Sequence, residues 1–133
     1  MQEIQYKVDR RPHAQEMKSL WLNAWGEEGR ESWDPILERS LCYVCAYSGE
    51  QLIGFVNVAW DGGVHASIFD TCVHTDYRHR GVATELVRQA ALTSKARGAA
   101  WLHVDFEPHL TTFYQKCGFR PTEAGLLNLS ESA

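Results

Sequence analysis

The chain has 133 residues, of which 44% are hydrophobic and 23% charged, and it carries a net charge of −4 at pH 7. This length predicts a single domain over residues 1–133 with one core, and the acidic balance argues against a protein that holds nucleic acid by general attraction to phosphate. No apolar run approaches the roughly 20 residues that span a bilayer, and the N-terminus lacks the basic and apolar regions of a signal peptide. We therefore expect a cytoplasmic protein that binds neither nucleic acid nor a membrane.

Residues 4–39 predict one strand and two helices. Apolar and polar side chains alternate over residues 4–8, as they do in a strand with one buried face. Pro12 suits the first turn of a following helix. The glycine- and glutamate-containing stretch at 26–30 ends that helix before a short one at 33–39. The apolar side of the first helix carries Met17, Leu20, Trp21, Ala24 and Trp25.

The next section of the chain predicts an antiparallel meander of three strands. The strands cover 41–47, 51–60 and the stretch that begins at Val64, and turns that contain glycine and acidic residues join them as tight hairpins. Cys42 and Cys45 form a C-x-x-C sequence, but an offset of three along a strand sends them to opposite faces. We therefore expect neither a redox pair nor a zinc pair here, and we expect all four cysteines to be reduced.

Residues 66–106 predict a strand, a helix and a second strand, which together make a βαβ unit. Apolar, β-prone runs at 66–73 and 100–106 flank a stretch in which apolar residues recur at helical spacing. Arg97 and Gly98 end the helix, since a cation in the last turn and a glycine just beyond are stop signals. The crossover should be right-handed and the two strands parallel. The apolar face of the helix consists of Val82, Ala83, Leu86, Val87, Ala90 and Ala91.

The junction between the first strand of this unit and its helix predicts an anion-binding site. The first four amides of a helix lack partners within the helix, and the macrodipole adds roughly half a positive charge there. Arg78 and Arg80 add charge, and Gly81 lets a ligand approach the backbone closely. We therefore expect an oxygen-rich anion at this junction.

The remaining residues predict a short helix and two closing strands. The helix covers 108–116 and begins at a proline. Strands are predicted over 119–122 and 125–129, with a loose tail at 130–133. The element order predicts an α/β fold with a mixed, mostly antiparallel sheet, a central parallel βαβ unit and helices on both faces.

Two motifs give this chain a resemblance to a known family. The sequence RHRGVA at 78–83 fits the R/Q-x-x-G-x-G/A signature of the GNAT superfamily of N-acetyltransferases, and it stands between a strand and a helix. Downstream, FYQKCGF at 113–119 resembles the F-Y-x-x-x-G-F segment of the same family. Neither the P-loop pattern nor the dinucleotide fingerprint G-x-G-x-x-G is present. The two motifs cover roughly residues 73–119, and the element order resembles the family over nearly the whole chain.

The resemblance implies that acetyl-CoA is the co-substrate. Its pyrophosphate is expected on the backbone amides of residues 79–84, and its pantetheine arm beside the strand near Val73. Family members often carry an asparagine seven residues before the tyrosine of the second motif, where this chain has Glu107. A carboxylate cannot donate a hydrogen bond as an amide does, so we expect that cofactor contact to be missing or remodelled. The cofactor-binding residues implied are Val73, Arg78, His79, Arg80, Gly81, Val82, Ala83, Thr84 and Phe113.

By the same resemblance, Tyr114 is the candidate general acid of the reaction. A departing thiolate needs a proton, and a tyrosine is protonated at neutral pH. Because an alkyl amine is itself protonated at pH 7, a base must remove a proton before the amine attacks. Asp70, on the strand before the signature motif, is the first candidate base, with His74, Glu107 and His109 as alternatives.

Trp21 and Trp25 are candidates for binding the acceptor. They precede an acidic stretch, in the region that often lines the acceptor site of similar proteins, and aromatic faces with carboxylates attract a cationic amine; their spacing on an amphipathic helix fits core packing as well. We predict an N-acetyltransferase that acts on a small-molecule primary amine by direct attack in a ternary complex, without a metal, and that can form a homodimer. The alternatives are acetylation of a protein lysine or N-terminus, and sensing of CoA or acetyl-CoA without turnover.

Overall fold

A five-stranded sheet organises the computed structural model, which describes residues 3–130. Its first four strands pair antiparallel, and the last two pair parallel. The predicted meander, the predicted parallel pair and the mixed sheet are therefore confirmed. The strands follow one another in the sheet as they do in the chain: β1 (Ile4–Val8), β2 (Ser40–Ser48), β3 (Gln51–Trp60), β4 (His65–Val73) and β5 (Trp101–His103).

The helices connect these strands close to the predicted positions. The first begins just after His13, whose backbone N–H donates a hydrogen bond to Glu16 Oε1 at 2.9 Å. It ends at Gly26, which adopts the left-handed conformation that terminates helices. Pro12 therefore lies just before this helix, not in its first turn. The helices are α1 (Ala14–Trp25), α2 (Asp34–Leu37), α3 (Val82–Ala96) and α4 (Thr111–Lys116), with 3-10 turns at Thr75–Tyr77 and Pro108–Leu110.

The sheet separates two apolar cores, each covered by helices. The α3-side core lies between the sheet and helices α3 and α4, and it includes Val44, Leu86 and Tyr114. The α1-side core lies between the sheet and helices α1 and α2, and it includes Met17, Leu37 and Phe55. Helices on both faces are thus confirmed. So is the separation of the C-x-x-C pair, because the Cys42 thiol lies in the first core and the Cys45 thiol in the second.

A glycine in β3 allows α3 to lie directly on the sheet. A Cβ added to Gly54 would come within 3.1 Å of a Leu86 methyl group and 3.2 Å of a Val82 methyl group. Because Gly54 pairs with Val73, this close approach brings the first turn of α3 next to the end of β4. The position of the helix N-terminus therefore depends on a residue of another strand.

The C-terminal part of the chain differs from the prediction. β5 covers three residues, not 100–106, and no strand forms over 119–122 or 125–129. Pro121 has no N–H for a strand ladder, and the side chains of Leu126, Leu127 and Leu129 are 84–88% exposed, so no neighbouring layer packs on them. The βαβ unit consequently lies at one edge of the described sheet. Within residues 3–130, no helix is both long enough and apolar enough to cross a bilayer.

Candidate active site

The two parallel strands separate after a short ladder and leave an open gap. Their pairing covers only the register from His65–Trp101 to Ser67–His103. Beyond it, the described part of β4 from residue 68 to residue 73 has no strand partner on that side. Six residues of strand extend about 20 Å, so the gap exposes a long edge of backbone donors and acceptors. A cavity of about 930 Å³ occupies the gap, lined on one side by residues 68–71 and on the other by 104–107.

A bulge in β4 directs side chains of this strand into the cavity. Asn57 pairs with Phe69 and Phe55 with Cys72, so β4 carries one residue more than β3 over this stretch. The bulge coincides with Asp70, which adopts a left-handed conformation with φ 62°. Strict alternation would send Asp70 and Thr71 to opposite faces, yet both line the cavity.

Asp70 has the environment of a general base. Its carboxylate is 20% exposed, and burial raises its pKa above the usual value, while the Arg30 guanidinium at 3.8 Å offsets part of that increase. Arg30 is held in place by stacking on Trp33, with its guanidinium carbon 4.6 Å from the ring centroid. A carboxylate with a raised pKa takes up a proton more readily near neutral pH than an ordinary one.

Tyr114 lines the same cavity from the opposite side. It is 6% exposed, and its ring stacks on Phe106 at 4.7 Å and meets Phe113 and Phe119 edge-on at 4.8 and 5.7 Å. Burial raises the pKa of its hydroxyl, and the neighbouring Thr71 lowers it in part. The phenol is therefore protonated at neutral pH and can serve as a proton donor to a group in the cavity.

The structure brings other predicted residues to this cavity and leaves some outside it. Trp21, Trp25 and Glu107 line it, and Trp21 also lines a smaller adjoining pocket with Asp70 and the loop at 27–30. Phe113 packs against the α3-side core instead. Two alternative bases also lie elsewhere: Nδ1 of His74 accepts a hydrogen bond from the Asp76 backbone N–H in a turn, and His109 is exposed in a 3-10 turn outside the cavity lining.

The loop after β4 presents backbone amides at the start of α3. His79 and Gly81 both adopt positive φ, 64° and 79°, which turns the chain sharply into the helix. The first helical hydrogen bond joins the Glu85 N–H to the Gly81 carbonyl, so the amides of residues 82–84 have no acceptor within the helix. The side chains of Val82 and Ala83 pack in the α3-side core. At these positions an anion would therefore meet backbone N–H groups and not side chains.

The two arginines of the loop have different surroundings. The Arg78 guanidinium donates to the carbonyl oxygens of Val73 and Ala24, both at 3.3 Å, so it joins the end of β4 to the end of α1. Arg80 lies over the Tyr77 ring, with its guanidinium carbon 5.3 Å from the centroid. Arg78 thus contributes its charge from a fixed position at the base of the loop.

Three residues of the site escaped the sequence interpretation. Thr71 lines the cavity and has a buried hydroxyl, Phe106 stacks on Tyr114, and Arg30 pairs with Asp70. The bulge that brings Thr71 to the cavity leaves no recognisable pattern in the sequence of β4. Arg30 stands in a stretch whose composition signals only a helix end. The contact of Arg30 with Asp70 joins segments 40 residues apart, and the stacking of Phe106 on Tyr114 depends on how the chain turns between β5 and α4, so local patterns could not reveal either.

Comparisons with known proteins show the family and the fold of this chain. A model of the acetyltransferase (GNAT) family matches residues 10–119. An uncharacterized N-acetyltransferase, ycf52 of Pyropia yezoensis, is 26% identical over 72 residues, which are 54% of this chain and 41% of that protein. A GNAT-family acetyltransferase from Streptococcus pneumoniae superposes with a TM-score of 0.79 at 20% identity, covering 96% of this chain and all of that one. The aminoglycoside N-acetyltransferase AAC(6')-Iy, solved in complex with CoA, gives 0.77 at 19% identity, covering 98% and 96%.

Proposed function

The chain belongs to the GNAT family of acetyltransferases, and we propose that it transfers an acetyl group from acetyl-CoA to a primary amine of a small molecule. The observation that carries this proposal is the meeting of Asp70 and Tyr114 on opposite sides of one cavity, beside an unpaired strand edge. A base and an acid that face each other across a cleft are what aminolysis of a thioester needs. CoA bound to AAC(6')-Iy, which has the same fold, supports the choice of acyl donor.

The coenzyme would bind along two features of the structure. The free amides of residues 82–84, at the positive end of α3, fit a diphosphate. The unpaired edge of β4 offers carbonyl and N–H groups to the amides of an extended pantetheine arm, in the manner of an added strand. The coenzyme supplies the acetyl group as a thioester, and we place its reacting end in the cavity between Asp70 and Tyr114.

Two side chains then handle the protons of the reaction. Asp70 takes a proton from the substrate ammonium, and the neutral amine can attack the thioester carbonyl. As the carbon–sulfur bond breaks, Tyr114 gives its proton to the departing sulfur, and it regains one from the nitrogen that has become an amide. Asp70 releases its proton to solvent, so one proton leaves per acetyl group transferred.

The acceptor site would lie where the two cavities adjoin. The smaller pocket is lined by Trp21, Asp70 and the loop at 27–30, which carries two glutamates and one arginine. With Asp70, these charges sum to −2 around an aromatic face, which favours a cationic amine over a neutral or anionic acceptor. An aminoglycoside acetyltransferase among the proteins of like fold is in keeping with such a substrate.

A panel of amines tests this proposal. With acetyl-CoA present, we expect thiol release above background hydrolysis with at least one polyamine, aminoglycoside or amino acid, measured with a thiol-reactive dye. Thiol release with lysine peptides alone would mean that the acceptor is a protein and not a small molecule. Thermal stabilisation by CoA without thiol release for any amine would mean that the protein senses CoA and is not an enzyme.

A glycine substitution tests the diphosphate site. Gly81→Ala forces a side chain onto φ 79°, which should cost about 1 kcal/mol of stability and turn the amides of the loop away from the ligand. We expect CoA affinity to fall about 10-fold by calorimetry, a change of about 1.4 kcal/mol. Gly62→Ala is the matched control, because Gly62 has φ 84°, a Cβ at either glycine would meet nothing within 4 Å, and Gly62 lies at the far end of β4. Equal CoA affinity in the two variants would contradict the assignment.

Location in the cytosol and formation of a homodimer stay predictions from the sequence. The consequence of Glu107 for cofactor binding also stays a prediction. Glu107 lines the cavity, and its backbone carbonyl accepts a hydrogen bond from the Leu110 N–H in the 3-10 turn at Pro108–Leu110. An asparagine at this position could donate a hydrogen bond into the cavity, whereas an ionised glutamate only accepts one. Any ligand group near Glu107 is therefore expected to be a donor.

A further inference from the structure

An unsatisfied hydroxyl lies in the wall of the candidate active site. Oγ1 of Thr71 is fully buried and has no hydrogen-bond partner, a condition that it shares with only the Tyr47 hydroxyl among the side chains of residues 3–130. A buried hydroxyl without a partner costs about 1–3 kcal/mol. Thr71 lines the cavity, whereas Tyr47 lies in the α1-side core.

Thr71 and Tyr114 line the same cavity. The two side chains make no regular hydrogen bond, yet Thr71 is near enough to favour the ionised form of Tyr114. Three aromatic rings hold the Tyr114 ring on its face and edges, so its hydroxyl cannot swing far from this position. The bulge at Asp70 places Thr71 at the cavity that Tyr114 also lines.

We propose that Thr71 is a positioning residue for the acid step: its hydroxyl donates a hydrogen bond to the Tyr114 oxygen while Tyr114 gives its proton to the leaving sulfur. This inference rests on the proposed function and adds a residue to it. The Tyr114 O–H bond breaks and an S–H bond forms, and Thr71 keeps its own proton throughout. Thr71 thereby gains in the transition state the partner that it lacks in the resting structure.

The physical reason is the burial of Tyr114. Negative charge that develops on a buried phenol oxygen has little water to stabilise it, and this opposes proton donation. A hydroxyl that donates to that oxygen only as charge appears stabilises the transition state more than the ground state, which is the condition for a gain in rate. A partner satisfied from the start would lack this advantage.

A pair of substitutions at one position tests the proposal. Thr71→Val keeps the shape and removes the hydroxyl, whereas Thr71→Ser keeps the hydroxyl and removes a methyl group. We expect Thr71→Val to lower kcat about 10-fold with unchanged CoA affinity and an unchanged or higher melting temperature, since an unsatisfied hydroxyl is lost. Thr71→Ser should retain most of the turnover.

Titration of Tyr114 provides a readout that does not depend on turnover. In protein labelled with ¹³C at the tyrosine ζ carbon, Thr71→Val should raise the pKa of Tyr114, because a group that lowers it has been removed, and Thr71→Ser should leave it near the wild-type value. Tyr114→Phe identifies the signal. In that background, Thr71→Val should cause little further loss of turnover.

Either of two results would overturn the proposal: an unchanged Tyr114 titration in Thr71→Val, or equal effects of the valine and serine variants. If the titration responds as expected while wild-type protein acetylates no amine, the contact between Thr71 and Tyr114 stands and the proposed function fails. If wild-type protein is active and Thr71→Val matches it in both kcat and titration, the proposed function stands and this inference fails.

Discussion

Tyr114→Phe is expected to lower kcat by about 100-fold or more, a loss typical of a general acid, while CoA affinity stays nearly unchanged. Phenylalanine keeps the ring that stacks on Phe106 and packs between Phe113 and Phe119. What disappears is the proton donor for the leaving sulfur. A 100-fold loss corresponds to about 2.7 kcal/mol of transition-state stabilisation. Steady-state thiol release gives kcat, and calorimetry gives the dissociation constant of CoA.

Tyr47→Phe is the matched control for this variant. Tyr47 is also a buried tyrosine whose hydroxyl has no partner, and burial raises its pKa to about 12, but it lies in the α1-side core away from the cavity. We expect Tyr47→Phe, which removes this hydroxyl, to leave kcat and CoA affinity at the wild-type level. If Tyr114→Phe lowered CoA affinity and turnover to the same extent, Tyr114 would be a packing residue and the acid would have to be sought elsewhere.

Asp70→Asn is expected to lower kcat/KM for the amine by about 100-fold near neutral pH, because the amide cannot accept the ammonium proton. Asparagine tolerates the left-handed φ of 62° at the bulge as aspartate does, so the backbone should persist. The melting temperature should not fall, since a buried carboxylate that is costly to ionise is removed. Asp61→Asn, in the β3–β4 hairpin, keeps an oxygen for the N–H groups of Gly63 and His65 and should be fully active.

The pH dependence of the reaction gives a second test of Asp70. A base acts when it is deprotonated, so on the acidic limb of the profile kcat/KM should rise as the pH passes the raised pKa of Asp70 and should then reach a plateau. Arg30 lowers this pKa, so Arg30→Gln should move the rise to higher pH. A profile that is identical in wild type and Arg30→Gln, together with a fully active Asp70→Asn, would exclude Asp70 as the base.

Local patterns in the sequence were sufficient for much of the fold. The 3.6-residue repeat in 82–96, the alternation over 4–8 and the hairpin composition of 41–73 depend on residues close together in the chain, and the corresponding helix and strands are present. The prediction of C-terminal strands was wrong, because the apolar residues of 125–129 have no neighbouring strand or layer to pack against. A strand needs a neighbour that supplies its hydrogen bonds, and composition alone does not provide one.

The sequence by itself determined the element order as far as α4, the family signature around Gly81 and the candidate pair Asp70 and Tyr114. Only the tertiary structure decided that these two residues and Thr71 line one cavity, and that Arg78 joins α1 to β4. A helix or a turn is set by residues a few positions apart. The site depends on a one-residue bulge and on where two strands separate, and both follow from the pairing of segments distant in sequence.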